Sequence, residues 1–284
     1  MIGALNQEFP VGIVCKTLGI STSSFYDYRI RKAQPKNKVK EMKENKVIKV
    51  FTLHQRRYGS RRIEADLKAE GINICRQQVA RIMKAAGLKA IQPKSFVPKT
   101  TDSRQTLKAA PNLLLDRPVS QRPGEVWVGD ITYIPLKQHK WAYLATWVDT
   151  YTHQVTGWSL DTRIKDTLII QALKRGLGRF RTNPGMIVHS DRGRQYISKQ
   201  FKKLLRDHNW NQSMSRRAEV YDNSVAESFF ARLKCELIHT KTYESINELH
   251  NDLFEYIEGY YNPIRRHSSI HYKTPNEIQA DYEN

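Results

Sequence analysis

Three acidic residues of the 284-residue chain lie where a sheet and a helix would bring carboxylates together. Asp130 falls inside EVWVGDITYIP, a run of β-branched and aromatic residues that predicts a strand, where an unpaired carboxylate is costly. Asp191 directly follows the short apolar strand MIVHS, and Glu227 lies on a helical segment further along. The carboxyl end of a strand is where α/β sheets place their ligand sites.

Carboxylates on three separate elements suit one kind of chemistry, because oxygen-only ligands favour Mg²⁺ or Mn²⁺. Taken singly, a strand Asp is commonly a hydrogen-bonded structural residue and a helix Glu is commonly solvated. The spacing favours a shared site. There are 60 residues between Asp130 and Asp191 and 35 between Asp191 and Glu227, and Lys234 follows Glu227 by seven residues, two turns along the same helical face.

Two other polar residues compete for a place in this site. His189 stands beside Asp191 and could tune it, but a strand histidine packed against its neighbours is the favoured interpretation. Asp149 ends the second predicted strand, and we interpret it as structural because its spacing does not match the other carboxylates.

The elements that must position these residues predict a mixed α/β domain. EVWVGDITYIP, KWAYLATWVDT and HQVTGWSL predict three strands of an antiparallel meander. A helix (DTLIIQALKRGLGRF), a short buried strand (GMIVHSD) and another helix (SKQFKKLLRDHNW) then add parallel crossover character. The remainder is predicted helical, with a last helix that has Pro275 at its first position.

The N-terminal part is basic and helical. The chain has 47 Lys and Arg against 28 Asp and Glu, a net charge of +19, and residues 1–117 hold 24 and 9 of these. Such an excess indicates a polyanionic partner, with nucleic acid the first candidate.

Within this basic region YGSRRIEADLKAEGINICRQQVARIMKAAGL predicts two short amphipathic helices separated by a turn at Gly71, as in a helix-turn-helix. An ordinary helical hairpin with a solvated basic face explains the segment equally well. A weaker copy is VGIVCKTLGISTSSFYDYRIRK, with Ser21 as N-cap. The polar side of the second helix carries residues able to contact phosphates and base edges: Arg76, Gln77, Gln78, Arg81 and Lys84.

A proline-containing stretch without apolar periodicity separates the two regions. The predicted divisions are residues 1–44 (helical, with the weaker helix-turn-helix), 45–91 (DNA-binding helix-turn-helix), 92–123 (linker) and 124–284 (α/β core with C-terminal helices). The three cysteines are far apart, so we expect neither a disulfide framework nor a zinc site. The chain shows no signal peptide and no apolar run approaching 18 residues, so we expect it inside the cell and away from membranes.

Four separated segments, WVGDITYI, HSDRGRQY, DNSVAESFFARLKCE and YNPIRRHSSIHYKTPNEI, resemble the integrase-type core of bacterial insertion-sequence transposases. The specific match is the downstream-frame (OrfB-type) transposase of the insertion-sequence-three family, and it extends over nearly the whole chain. The helix-turn-helix segment is similar to that family too. Arg194 departs from the pattern, since a small residue is more usual there.

The resemblance implies an RNase H-like, retroviral integrase-like core preceded by an all-α DNA-binding region. It implies that Asp130, Asp191 and Glu227 are the catalytic triad and hold two Mg²⁺ or Mn²⁺ ions, with Lys234 contacting DNA. The implied activity is a polynucleotidyl transferase that binds element ends, cleaves DNA and joins strands. Implied partners are the terminal inverted repeats, target DNA, further copies of the chain and an upstream-frame protein joined by frameshifting; the implied location is the bacterial cytoplasm, at the nucleoid.

Further DNA contacts are expected from arginines outside the triad. Arg265 and Arg266 can each grip a phosphate with two parallel hydrogen bonds. Arg216 and Arg217 precede the helix of Glu227, where an active-site loop is expected. Two rival functions are a non-catalytic DNA-binding regulator and a general nuclease; the carboxylate spacing argues against the first and the basic N-terminal third against the second. Four nearby aromatic residues are interpreted as core: Phe229, Phe230, Tyr260 and Tyr261.

Overall fold

The computed structural model describes residues 10–33, 38–92, 110–115, 117–215 and 223–283. They fall into two compact units, Met1–Lys89 and Ala90–Asn284. The predicted α/β core preceded by an all-α region is therefore confirmed. No helix in the described ranges is long and apolar enough to cross a membrane.

In its described residues, the N-terminal unit consists of helices and their connecting turns. Its first helix pair turns at Gly19, which has φ +67° and so occupies the left-handed region. The Ser21 hydroxyl accepts a hydrogen bond from the backbone N–H of Ser24 at 3.1 Å, which confirms the predicted N-cap. The helices are α1 (Val11–Thr17), α2 (Thr22–Ala33), α3 (Lys38–Leu53), α4 (Ser60–Ala69) and α5 (Arg76–Ala85).

Helices α3, α4 and α5 share one small apolar core. Gly71, with φ +76°, ends α4 and turns the chain toward α5, as the helix-turn-helix pattern predicts. The predicted division between residues 44 and 45 is wrong, because α3 runs through it without a break and buries residues in the same core as α4 and α5. The buried side chains are Val47, Val50, Phe51, Ile63, Leu67, Val79 and Met83.

The second unit is built on a five-stranded mixed sheet with the order β3-β2-β1-β4-β5. The first three strands pair antiparallel, as predicted, and β4 and β5 extend the sheet in parallel from β1. The short polar strand β5 has no counterpart among the predicted elements. The strands are β1 (Val126–Pro135), β2 (Trp141–Asp149), β3 (Val155–Asp161), β4 (Ile187–Ser190) and β5 (Asn211–Met214).

Helices pack on this sheet and complete the unit. Pro275 begins the last helix, as predicted. The helices are α6 (Asp166–Leu177), α7 (Lys199–Asp207), α8 (Ser224–Glu236), α9 (Ile246–Phe254), which continues as a π-helical stretch over Glu255–Tyr261, and α10 (Pro275–Glu283). The four aromatics interpreted as core are buried: Phe229, Phe230, Tyr260 and Tyr261.

A close contact fixes the strand that carries Asp130. The ring of Trp147 on β2 packs against Gly129, where an added Cβ would lie 2.4 Å from the indole. The indole N–H of Trp147 also donates to the carbonyl of Ile169 on α6 at 3.1 Å. Only glycine leaves room for this packing, so the backbone beside Asp130 is held against the core.

The C-terminal end of the predicted linker belongs to the sheet unit. The backbone N–H of Leu113 donates to the Ser213 hydroxyl at 2.9 Å, and the hydroxyls of Ser120 and Thr150 are 2.7 Å apart. The linker prediction of residues 92–123 is thus too long at this end. Residues 93–109 lie outside the described ranges.

Candidate active site

Strand pairing places Asp130 and Asp191 side by side. The parallel ladder of β1 and β4 ends with Gly129 opposite Ser190, and Asp130 and Asp191 are the next residues on the two strands. Asp191 therefore follows the carboxyl end of β4, at the sheet position expected for a ligand site.

Helix α8 brings the third carboxylate toward this pair. The helix packs against β1 and β2, and Glu227 lies exposed in its first turn. The negative charge of Glu227 raises the pKa of Asp130, so the two carboxylates are within electrostatic range.

Asp130 has the most perturbed environment of the three carboxylates. Burial raises the pKa of Asp130 to about 7, and the charges of Asp191 and Glu227 add to this rise. Two effects lower the pKa: the Ile131 N–H donates to Oδ1 at 2.8 Å, and Lys234 contributes a positive charge. A cation placed among these carboxylates would relieve their repulsion.

Asp191 is exposed, although the protein around its carboxylate removes enough water to raise its pKa. The Gly193 N–H donates to its Oδ1 at 2.9 Å and opposes that rise. The fully buried hydroxyl of Tyr196 has no hydrogen-bond partner within the described part of the chain. Burial, followed by the charges of Asp191 and Asp130, raises the pKa of Tyr196, so the tyrosine is within electrostatic range of both carboxylates.

The donor chemistry fits a divalent cation. The neighbouring groups are carboxylate oxygens, which hard cations prefer, and their mutual repulsion is visible in the pKa of Asp130. Within residues 10–33, 38–92, 110–115, 117–215 and 223–283, no three His, Cys, Asp or Glu side chains already stand in metal-binding geometry. The three carboxylates therefore interact electrostatically, but their side chains are not close enough together to form a complete set of metal ligands.

His189 and Asp149, the two other polar residues considered for this site, have structural roles, as interpreted from the sequence. The fully buried ring of His189 lies 2.8 Å from the Ser213 hydroxyl through Nδ1 and 3.0 Å from the Ser215 hydroxyl through Nε2, and so ties β4 to β5. Asp149 is buried, and its carboxylate accepts several hydrogen bonds that tie together the ends of β1 and β2. These donors are the backbone N–H groups of Gly124, Tyr151 and Thr152, the Thr152 hydroxyl and the Trp127 indole.

Lys234 lies close to the carboxylates and beside an exposed aromatic ring. Its half-buried side chain has a pKa lowered by burial and raised by the charge of Asp130. Its Nζ is 5.5 Å from the centroid of the Tyr133 ring. The sequence alone assigns no role to Tyr133, because the strand pattern places it on the opposite face from Asp130 and does not reveal its exposure.

The expectation that Arg265 contacts phosphate is wrong. Its guanidinium is buried and holds the Glu236 carboxylate through Nε at 2.9 Å and Nη2 at 2.5 Å. Arg266 is also largely covered: it donates to the carbonyl of Tyr272 at 2.9 Å and lies 3.7 Å from Glu277. These arginines hold the C-terminal segment together. Arg216 and Arg217 lie outside the described residues.

The five predicted base- and phosphate-contacting residues on α5 are all exposed: Arg76, Gln77, Gln78, Arg81 and Lys84. One of them has a second task, since the side-chain oxygen of Gln78 accepts the backbone N–H of Cys75 at 3.2 Å and caps the helix. The buried side of α5 is formed by Val79 and Met83, as the helical period predicts.

Comparison with known proteins gives matches over both units. Integrase core domain models match residues 120–219 and 227–281, and an HTH-like domain model matches residues 37–96. The chain is 35% identical over 240 residues to the transposase for insertion sequence element IS904 of Lactococcus lactis subsp. lactis (strain IL1403), covering 84% of this chain and 94% of that protein. It is 34% identical over 263 residues to transposase InsF for insertion sequence IS3A of Escherichia coli (strain K12), covering 92% and 91%.

Solved structures are more distant. The catalytic core domain of HTLV-2 integrase in complex with magnesium (trimeric form) has a TM-score of 0.44 and 18% identity, covering 56% of this chain and 98% of that one. The simian T-cell lymphotropic virus intasome in complex with PP2A regulatory subunit B56 gamma has a TM-score of 0.45 and 16% identity, covering 82% and 74%.

Proposed function

The chain belongs to the insertion-sequence transposases of the IS3 type, enzymes with an integrase core and an HTH-like domain, and from this premise we propose which residues perform its reaction. Asp130, Asp191 and Glu227 are the catalytic carboxylates. They bind two Mg²⁺ or Mn²⁺ ions in the complex with DNA, and the substrates are the terminal inverted repeats of the element and the target duplex.

The register of the sheet supports this assignment most directly. Gly129 and Ser190 are the last residue pair of the parallel strands β1 and β4, and Asp130 and Asp191 follow them directly. The negative charge of Glu227 raises the pKa of Asp130. Asp149, the rival carboxylate, is already saturated with hydrogen bonds inside the fold. Of these four carboxylates, Asp130, Asp191 and Glu227 retain oxygen atoms without a hydrogen-bond donor among the described residues.

Asp130 and Asp191 each keep one carboxylate oxygen available for a ligand in the transfer of a phosphoryl group. The Ile131 and Gly193 N–H groups each fix one oxygen, Oδ1, of Asp130 and Asp191, which leaves the other oxygen of each for a ligand. When bound, divalent ions supply activation of the attacking oxygen and stabilisation of the leaving oxygen in an in-line displacement at phosphorus. Asp130 must release its proton before it serves as a ligand, and no side chain needs to form a covalent bond with DNA.

Lys234 is the DNA contact nearest the reaction. Its ammonium lies within the field of Asp130 and suits a phosphate oxygen as a point charge on a flexible stem. The exposed side of α5 reads base edges of the element ends, while the excess of Lys and Arg in the N-terminal part supplies affinity through counterion release.

Neutral substitutions of the carboxylates test the assignment. Asp130→Asn, Asp191→Asn and Glu227→Gln should each abolish Mg²⁺-dependent cleavage and strand joining at terminal-repeat ends, while binding of the full chain to the same DNA persists. Asp207→Asn removes the same charge from a surface pair with Lys203 and should leave activity unchanged. Strand transfer at the wild-type rate by Asp191→Asn would refute the proposal.

A further inference from the structure

Two aromatic side chains lie at the end of the sheet beside the candidate active site. Tyr133 is on β1, three residues after Asp130, and 59% of its surface is exposed. Trp141, the first residue of β2, is partly buried and meets the Tyr133 ring edge-on, with centroids 4.9 Å apart and planes at 79°. The tyrosine ring is therefore supported on one side and open to solvent elsewhere.

A cation accompanies this aromatic pair. Nζ of Lys234 is 5.5 Å from the Tyr133 centroid, and the same ammonium interacts with the charge of Asp130. The ring and the carboxylate project from opposite faces of β1, and Lys234 lies beside the ring and within the field of Asp130. A phosphate that binds this ammonium is therefore next to the Tyr133 ring.

The position of Tyr133 is not needed for the core. Other large aromatics of this unit, Trp127, Trp147 and Tyr196, are buried among the helices that cover the sheet. Tyr133 instead keeps most of its ring in water next to a positive charge. An aromatic face beside a cation is the arrangement with which proteins bind single-stranded nucleic acid, the cation taking the phosphate and the ring taking the base.

We propose that Tyr133, supported by Trp141, is a stacking subsite for one unpaired nucleobase at the DNA end, next to the phosphate that Lys234 contacts. This inference rests on the proposed function of Asp130, because it takes the reacting phosphate to lie there. Opening the terminal base pair of a duplex end costs the free energy of unpairing and unstacking one base. The base released from its pair then stacks on the exposed ring, which offsets part of the cost of opening.

A binding cycle between the ring and the base tests the subsite without any catalysis. The dissociation constant of the full chain is measured by fluorescence anisotropy in metal-free buffer, with duplex ends that carry either the intact terminal nucleotide or an abasic one. Tyr133→Leu should weaken binding to intact ends about tenfold and leave binding to abasic ends unchanged. Tyr133→Phe, which keeps the ring, should bind both ends as the wild type does.

A matched control uses an exposed tyrosine elsewhere on the same unit. Tyr282 is 50% exposed on α10, and Tyr282→Leu should not alter either dissociation constant. If Tyr133→Leu weakens intact and abasic ends equally, the ring serves only to hold Lys234 and the stacking subsite is refuted. That result leaves the catalytic carboxylates untouched, whereas activity of the Asp191→Asn chain refutes the proposed function whatever the binding cycle shows.

A fluorescence measurement reports the position of the base directly. With 2-aminopurine as the terminal base, the wild-type complex should stay weakly fluorescent because the extruded base stacks on the ring. The Tyr133→Leu complex, at saturating protein, should be several-fold brighter because the base has lost its partner. Equal fluorescence of the two complexes would overturn the subsite.

Discussion

Asp130 combines a buried carboxylate with two acidic neighbours, and this makes its protonation part of the folding equilibrium. Its pKa in the folded chain is about 7, against an ordinary value of 3.8. Between these two pH values the folded chain holds a proton on Asp130 that the unfolded chain has released. The contribution of this residue to stability is therefore fully present below about pH 4 and is lost as pH rises through 7.

The pH dependence of thermal unfolding checks this electrostatic description. In metal-free buffer, the melting temperature of the wild-type chain should fall more between pH 5 and pH 8 than that of Asp130→Asn, which has no proton to lose. Saturating Mg²⁺ at pH 8 should raise the wild-type melting temperature and affect Asp130→Asn much less. Superimposable pH profiles for the two chains would contradict the assigned pKa.

Lys234 is a second residue whose role can be separated from folding. Glu236, one of the two carboxylates able to pair with it along α8, is instead engaged by Arg265. Lys234→Ala should lower affinity for cleaved DNA ends by roughly 10- to 150-fold, since a hydrogen bond to a charged group is worth about 1.5–3 kcal/mol, with little change in melting temperature. Lys234→Arg should retain much of the activity; a lower melting temperature with normal end joining in Lys234→Ala would instead assign a structural ion pair.

At the scale of the element, α8 is fastened at its far end by a buried polar cluster. Glu236 in its last turn accepts hydrogen bonds from Arg265 and from the Tyr256 hydroxyl at 2.9 Å. Because both ions are buried, their pairing fixes the helix to the C-terminal segment more than it adds net stability. The helix that carries Glu227 and Lys234 is thereby held in position against the sheet.

Removing one partner of this cluster leaves a buried charge without compensation. Arg265→Ala should lower the free energy of unfolding by about 3–5 kcal/mol, measured by urea denaturation. Replacing both partners, as in Arg265→Met with Glu236→Leu, should cost clearly less. Lys203→Ala, which breaks an exposed ion pair with Asp207, is the control and should cost no more than about 1 kcal/mol; a similar loss for both variants would show that burial of the Arg265 pair is not decisive.

Elements with strong apolar alternation or helical periodicity can be predicted from the sequence. Elements and side chains whose burial depends on a partner from a distant part of the chain cannot. The meander and the helix of Glu227 follow from apolar periodicity. Strand β5 is missed because Asn211–Met214 is mostly polar, and its burial depends on β4. The sequence favours a phosphate contact for Arg265 because no local pattern reveals that its guanidinium is buried and paired with Glu236, 29 residues away.

The carboxylates were accessible to prediction for a different reason. Asp130 and Asp191 stand at a strand interior and a strand end, where the local pattern alone specifies their place, and their spacing then matches a known family. Tyr133 had no such signal. Whether an aromatic on a strand packs inward or stays exposed is decided by the helices that cover the sheet, and these come from distant parts of the chain.

For the whole molecule, charge and chemistry are divided between the two units. Most of the +19 net charge arises from the N-terminal part, while the acidic cluster belongs to the sheet unit. Affinity for DNA should therefore depend steeply on salt through the first unit, and reaction should depend on the second.

Substitutions in the N-terminal unit distinguish sequence reading from general attraction. In the full chain, Arg81→Ala should reduce the preference for terminal-repeat over random duplex by about 1–3 kcal/mol, the value of one good base contact. Lys49→Ala removes one exposed charge from α3 and should weaken binding to both duplexes equally. The measurement is a competition titration at several salt concentrations, and an unchanged preference in Arg81→Ala would remove α5 from base reading.

The buried pair between Glu236 and Arg265 also affects when α8 can pack on the sheet during synthesis of the chain. Glu236 leaves the ribosome 29 residues before its partner. Until Arg265 has emerged, burial of the Glu236 carboxylate in the last turn of α8 has no compensating charge, which disfavours docking of this helix on the sheet. We therefore expect a polypeptide that stops short of residue 265 to lack a fixed position for Glu227 and Lys234.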